Sequence, residues 1–193
     1  MPRQRPIRPK MQRATDNLRA DHVLTERALG ALCAIGQQVR AGGPFPAADG
    51  ATLLRYLRDY VVGVHFRKEA ELLGPALAMH GSDATAMLVG DVMRMQDEAA
   101  DLVLALVVFW EPDGALPPAE QAGFADTVAL LCQRLRRIQE LEENDLFTTC
   151  EREVALDDQL GWCADFAQLE RERGTAASWA ERLAAIAARW SGR

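Results

Sequence analysis

Four long segments of this chain repeat apolar residues at the spacing of an α-helix, and turns rich in glycine and proline separate them. An apolar stripe of this kind has to be buried against neighbouring helices, which strongly restricts the fold. The periodicity predicts helices over residues 15–40, 51–79, 84–110 and 119–151. Asp49 or Thr52 is the expected cap of the second helix. The pattern therefore predicts an all-α fold, an up-down-up-down four-helix bundle with additional short C-terminal helices.

The ends of the chain differ from the central segments. Residues 1–13 contain three prolines and no periodicity, and we expect a disordered basic tail there. The bundle is predicted to span residues 14–152, and residues 153–193 form a C-terminal helical extension packed on it. The extension carries three tryptophans, Trp162, Trp179 and Trp190. These rings either pack inside the chain or form a face for a protein partner or a second copy, as in a homodimer.

The charge distribution counts against nucleic acid as a partner. The chain of 193 residues has a net charge of −6, with 22 basic residues. Five of the basic residues lie within 1–13, where no acidic residue occurs, so the rest of the chain is more acidic than the total indicates. Phosphate contacts need a basic face, so an acidic folded body binds nucleic acid poorly. A basic arm for nucleic acid or acidic lipid is the alternative for the tail.

Hydropathy and cysteine usage indicate a cytoplasmic protein without a membrane partner. No run of 18 apolar residues occurs, and the basic start lacks the apolar region of a secretory signal. The four cysteines show no CxxC spacing and fall within helix-like segments, which favours reduced thiols.

Polar residues interrupt the apolar stripe of each predicted long helix. On the second helix, His65 and Glu69 are four residues apart and therefore leave the same face. Burying an unpaired charge costs several kcal/mol, and a metal ion is one partner that would satisfy both side chains. Facing helices of four-helix bundles build metal sites in this way. The candidate metal ligands are His22, His65, Glu69, Glu142 and Gln96.

The segments around these positions resemble the four helix motifs of hemerythrin-like proteins, the HHE cation-binding domain. LRADH (18–22) resembles the first-helix motif, in which an acidic residue precedes a histidine. HFRKE (65–69), with Leu72, Leu73 and Pro75 after it, resembles the second-helix HxxxE motif. VMRMQDEA (92–99) and LEENDLF (141–147) resemble the third and fourth motifs. The resemblance covers about residues 15–150.

The resemblance implies a non-haem iron site. Members of the family typically hold two irons through several histidines and two bridging carboxylates. His22, His65, Glu69 and Glu142 stand at ligand positions, whereas Gln96 and Ile138 stand where the family has histidines. An isoleucine cannot coordinate, and an amide oxygen is a weaker donor to iron than imidazole. We therefore expect one iron, or another first-row divalent metal, rather than two.

Three states of the site stay open at the level of sequence. They are one metal ion with Gln96 or water completing the shell, two weakly held ions, and an empty site whose imidazoles and carboxylates form ion pairs. With one ion, the corresponding function is a metal-binding protein with a sensing, carrier or oxygen- and iron-related role. With two ions, it is a di-iron oxidoreductase or iron–sulfur cluster repair protein. With an empty site, it is a metal-free structural or regulatory module. Dioxygen or a small ligand is an expected partner of the first. The missing histidines count against the enzyme, and no residue is assigned a catalytic role.

Overall fold

The computed structural model describes residues 13–108 and 115–190, which form six helices and no β-strand. The predicted all-α class is therefore confirmed for this part of the chain. The helices are α1 (Ala14–Arg40), α2 (47–80), α3 (Asp83–Val108), α4 (118–153), α5 (Leu156–Arg173) and α6 (Ala176–Trp190). The predicted tail lies outside the described residues except for Arg13. So do residues 109–114, which include the predicted end of the third helix.

Helix α2 begins at Ala47, earlier than the periodicity predicts, and Asp49 is not its cap. The carboxylate of Asp49 instead accepts hydrogen bonds from Arg189, at 2.6 Å, and from the indole nitrogen of Trp190, at 2.8 Å. These donors come from α6, which is more than a hundred residues away in the chain. Local pattern alone cannot predict this pairing, because only the fold brings the two helices together.

Wider π-helical turns interrupt α2 and α4. In α2 they span Leu57–His65 and Glu69–Leu73, and in α4 the turn spans Glu142–Leu146. The backbone carbonyls of Glu69 and Glu142 each accept a hydrogen bond from the amide five residues later, as in a π-helix. The three acidic and imidazole residues predicted as ligands on these two helices therefore stand where a π-turn begins or ends. Such turns frequently mark functional sites in helices.

Helices α1 and α4 pack antiparallel along their length. Arg40, at the end of α1, pairs with Asp126 near the start of α4. Arg19, near the start of α1, pairs with Glu151 near the end of α4 at 2.6 Å. Helix α4 also packs against α3, and α1 also packs against α6. The helices α1 and α4 therefore form the centre of the packing, with α3 against α4 and α6 against α1.

Two apolar clusters fill the interior, and a layer of polar side chains separates them. The larger cluster takes Leu24 onward from α1, and the smaller one takes Ala14 and Leu18. In α4 the corresponding division falls between Ile138 and Leu146. The polar residues at this division are His22, His65, Glu69, Gln96 and Glu142, all buried. The layer lies across the long helices, midway between the two apolar clusters.

The C-terminal helices contribute to both apolar clusters. Trp179 and Trp190 of α6 belong to the larger one, and the ring of Trp179 packs edge-on against Tyr56 of α2. Phe166 of α5 belongs to the smaller one. Trp179 and Trp190 are thus engaged within the chain, whereas Trp162 is only partly buried. Among the described residues, no helix has both the length and the apolar character required to cross a membrane.

Candidate metal centre

Three of the predicted ligands meet in one cluster at the centre of the polar layer. The Nε2 atom of His22 lies 3.0 Å from Oε2 of Glu142 and 3.3 Å from Nε2 of His65. The Nε2 atom of His65 lies 3.8 Å from the same Glu142 oxygen. His22, His65 and Glu142 come from α1, α2 and α4, and at most 4% of each is exposed. They are the group of side chains in the described structure that could hold a metal ion.

The spacing of these three atoms matches the ligand shell of a single ion. A triangle with these sides has a circumscribed radius of about 2.0 Å, which is the metal–nitrogen and metal–oxygen distance of a first-row divalent ion. An ion at or near the centre of the triangle would contact all three atoms without movement of a helix. The residues present therefore fit one ion.

Carboxylates on the far side of each imidazole orient the two rings. Nδ1 of His22 lies 2.7 Å from Glu143 Oε1, and Nδ1 of His65 lies 3.3 Å from Asp21 Oδ2. A carboxylate accepts only, so each Nδ1 donates its proton outward, and with an ion bound each Nε2 would present a lone pair to that ion. This carboxylate–histidine arrangement is the one that fixes the ring tautomer in metal sites.

The interior of the layer has more hydrogen-bond acceptors than donors. Gln96 donates its amide nitrogen to Glu142 Oε1 at 2.8 Å and to Glu69 Oε2, which uses both of its protons. Glu69 Oε1 and Glu142 Oε2 then have no hydrogen-bond partner among the described residues. Oε1 of Glu69 lies 3.9 Å from Nε2 of His65. A buried acceptor without a donor is unfavourable, and a cation between these atoms would satisfy them together.

The charges in the layer are strongly coupled. Burial opposes the charged form of Glu142, but the neighbouring imidazoles of His22 and His65 outweigh this and lower its pKa below the usual range. Burial raises the pKa of Glu69 well above the usual range, and the charge of Glu142 raises it further. The two carboxylates shift in opposite directions because only Glu142 lies close to both imidazoles.

The pKa of His65 is also shifted in the metal-free layer, because carboxylates surround the ring. Burial by itself favours the neutral ring, but the charge of Glu69, the hydrogen bond to Asp21 and the nearby carboxylate of Glu142 raise the pKa of His65 to about 10. The centre of the layer thus attracts positive charge, whether as a proton or as a metal ion.

No protein-family model, curated protein or solved structure matches this chain. The resemblance to hemerythrin-like proteins therefore rests on the motifs and is a proposal for the function. The geometry of the polar layer is independent of that resemblance, because it follows from the positions of the side chains alone.

A buried lysine connects the layer to the C-terminal extension. Lys68 is fully buried, and its ammonium donates to Asp21 Oδ2, to Asn17 Oδ1 and to Glu170 Oε1, each at 2.8 Å. Asp21 also accepts a hydrogen bond of 2.7 Å from the hydroxyl of Tyr60. A continuous chain of contacts therefore runs from Glu170 on α5 through Lys68 and Asp21 to the ring of His65.

The sequence pattern assigns no role to Asp21, Glu143 or Lys68. Asp21 is the acidic residue of the first-helix motif and directly precedes His22. Glu143 similarly follows Glu142. This adjacency could have indicated the roles of Asp21 and Glu143, since a carboxylate next to a ligand position can hydrogen-bond to a ring on a neighbouring helix. The burial of Lys68 leaves no such signal, because its acceptors come from two other helices, α1 and α5.

Of the five predicted ligands, Gln96 is placed differently from the expectation. Its amide nitrogen, rather than its oxygen, faces the carboxylates, so it acts as a donor that orients Glu69 and Glu142. Ile138 is buried in the larger apolar cluster, one turn before Glu142. It closes the side of the layer on which a further ligand from α4 would lie.

One side of the cluster is close to solvent. A surface groove of about 430 Å³ between α1 and α4 is lined by His22, Glu26, Arg136 and Glu143, among others. The side chain of Glu143 is 47% exposed, whereas that of His22 is 4% exposed. Small solutes can therefore approach the outer edge of His22, with Glu143 between the ring and the solvent.

Proposed function

We propose that this chain is a hemerythrin-like metal-binding protein that holds one first-row divalent ion. His22, His65 and Glu142 supply the ligand atoms, and Glu69 supplies a further oxygen. The observation that carries the proposal is a group of atoms in the polar layer that lie close together, two imidazole nitrogens and two carboxylate oxygens that have no hydrogen-bond partner. The proposal includes an up-down-up-down arrangement of α1 to α4 with α5 and α6 packed on it.

The donor chemistry narrows the choice of metal. Two imidazole nitrogens with carboxylate oxygens suit iron, manganese or zinc better than magnesium or calcium, which prefer oxygen ligands alone. The resemblance to hemerythrin-like proteins favours iron. Bound iron would supply reversible binding and redox chemistry at the centre of the polar layer.

A sensing or carrier role fits this site better than a di-iron enzyme. Ile138 occupies a position where a second ion would need a ligand, and Gln96 turns its amide nitrogen toward the carboxylates. The remaining ligands suffice for one ion. In this role the imidazoles of the polar layer bind the metal ion, and Asp21 and Glu143 orient the two rings. The apolar clusters on either side exclude water.

A metal-free interaction module is the second candidate, and one observation favours it. The raised pKa of His65, about 10, means that an imidazolium can neutralise the carboxylates by itself. In that case the layer would be a buried ion-pair network, and the functional surface would lie elsewhere on the chain.

The substitution His65→Ala separates the two candidates. If the layer holds a metal, the variant binds none, because it loses the ring that completes the three-atom cluster. The measurement is metal content per chain by elemental analysis after loading with Fe²⁺, Mn²⁺ or Zn²⁺ and removal of the excess.

The matched control is His80→Ala, since His80 is the chain's only histidine outside the polar layer and is exposed. It should bind as much metal as the unmodified protein. Equal metal content in the His65→Ala and His80→Ala variants would contradict the proposed site.

A further inference from the structure

Two cysteines face each other across the contact between α1 and α4. Gly36 of α1 lies so close to α4 that a Cβ atom added to it would be 3.0 Å from Val128 Cγ1. One helical turn along each antiparallel helix from this point brings Cys33 opposite Cys132. The Cys132 sulfur lies 3.8 Å from the backbone oxygen of Leu29, one turn before Cys33. A disulfide requires closely approaching backbones, and this pair lies at such a place.

The pair is accessible from a cavity. A groove of about 900 Å³ between α1 and α4 is lined by both cysteines and by Arg136. Cys33 is partly exposed to it, whereas Cys132 is buried behind. The guanidinium of Arg136 is held in place by Glu26, with Nη2 to Oε1 at 2.8 Å. A small oxidant therefore reaches the sulfur of Cys33 first, beside a fixed positive charge.

The two sulfurs differ in acidity. Hydrogen bonding to Cys132, assisted by Arg136, lowers the pKa of Cys33 to about 7, although burial and Glu26 oppose the shift. The same hydrogen bond and burial raise the pKa of Cys132 above its usual range. A thiolate beside a protonated thiol is the arrangement of a nucleophilic cysteine with a resolving partner.

We propose that Cys33 and Cys132 form a peroxide-reactive dithiol that oxidises to a disulfide joining α1 to α4. The Cys33 thiolate attacks one oxygen of hydrogen peroxide, an S–O bond forms, the O–O bond breaks, and hydroxide leaves. Cys33 is then a sulfenic acid. The Cys132 sulfur attacks it, the S–S bond forms, the S–O bond breaks, and the departing hydroxide takes up the Cys132 proton as water. The first hydroxide takes up the proton that Cys33 released on ionising, so two thiols lose two electrons and the peroxide is reduced to two waters.

The other two cysteines provide internal controls. Burial raises the pKa of Cys150 to about 12, and it also raises the pKa of Cys163. Both lie outside the α1–α4 groove. The proposal does not depend on the metal centre, so it can hold whether or not the polar layer binds an ion.

Alkylation of the unmodified protein tests the acidity of Cys33 without any substitution. With iodoacetamide at pH 7, peptide mass spectrometry should show Cys33 modified at least about tenfold faster than Cys150 or Cys163. Equal rates for Cys33 and Cys163 would overturn the proposal.

Peroxide treatment tests the disulfide, with a chelator present to remove free metal. One equivalent of hydrogen peroxide should remove two hydrogen atoms from the intact mass and give a reducible Cys33–Cys132 peptide. Cys132→Ser should stop at a sulfenic acid on Cys33 that a dimedone probe traps. Cys33→Ser should give neither product, and a variant with Cys150→Ser and Cys163→Ser should behave as the unmodified protein. Absence of the cross-linked peptide, or a dimedone adduct on Cys132 in Cys33→Ser, would refute the proposal.

Discussion

At the scale of single residues, Asp21 links the imidazole of His65 to the buried ammonium of Lys68. Its carboxylate accepts from Tyr60, Lys68 and Nδ1 of His65, and only 1% of the residue is exposed. Burial opposes its charge, but hydrogen bonding to His65 and the charge of Lys68 lower the pKa of Asp21 below the usual range. Asp21 therefore remains an anion that both orients a proposed ligand and neutralises a buried ammonium.

We expect Asp21→Asn to weaken metal binding and stability together. Loss of an orienting carboxylate lowers metal affinity about 10–100-fold in comparable sites. Removing one partner of a buried ion pair costs on the order of 3 kcal/mol, because Lys68 would remain buried with less neutralisation. Metal titration and urea denaturation measure the two effects. The control is Asp97→Asn, at an exposed aspartate beside Gln96. If Asp21→Asn matches that control in both measurements, the role assigned to Asp21 is wrong.

The proposed ligand residues can be predicted from the sequence more fully than the residues that hydrogen-bond to them. His22, His65, Glu69, Gln96 and Glu142 each break an apolar stripe, so helical periodicity alone places them in the interior. The orientation of Gln96 and the burial of Lys68 depend on contacts between helices. No spacing within one helix contains that information, which is why the donor role of Gln96 and the network of Lys68 are visible only in the folded chain.

At the scale of secondary-structure elements, the interruptions of α2 and α4 were the least predictable feature. The sequence indicates continuous amphipathic helices there, and the helix bounds agree to within a few residues. The π-turns that begin at Glu69 and Glu142 depend on backbone hydrogen bonds from the amides five residues later, which apolar periodicity does not specify.

The contact between α2 and α6 leads to a prediction with a defined pH dependence. Hydrogen bonding from Arg189 lowers the pKa of Asp49 below its ordinary value of 3.8, although burial opposes the shift, and the Trp190 hydrogen bond lowers it as well. A lowered folded-state pKa stabilises the protein above the unfolded value, and this contribution is lost as the pH falls through the folded value. We expect Asp49→Asn to destabilise the protein by on the order of 1 kcal/mol at pH 7.

Thermal denaturation at several pH values measures this contribution. The difference in Tm between Asp49→Asn and the unmodified protein should be present at pH 7 and should shrink below pH about 3.8. The control is Asp126→Asn, whose side chain is 67% exposed, and whose effect should be smaller. A Tm difference that stays constant down to pH 2 would mean that Asp49 does not anchor α6 through its charge.

At the scale of the whole molecule, the fold divides into two apolar clusters with one polar layer between them. The all-helical class and the interior position of the polar residues follow from the sequence, because both depend on periodicity. The attachment of α5 and α6 could be predicted only in outline, since Glu170, Trp179 and Trp190 find their partners on α2. The polar layer forms only when all four long helices are packed together, because each of them contributes one or two of its residues.

The number of metal ions per chain tests the central claim most directly. The unmodified protein, loaded with Fe²⁺ without oxygen and freed of excess metal, should retain one ion per chain by elemental analysis, because His22, His65 and Glu142 fit a single ion. Two tightly held ions per chain would contradict the single-ion site. No retained ion with Fe²⁺, Mn²⁺ or Zn²⁺ would contradict the metal centre altogether and leave the layer as a buried ion-pair network.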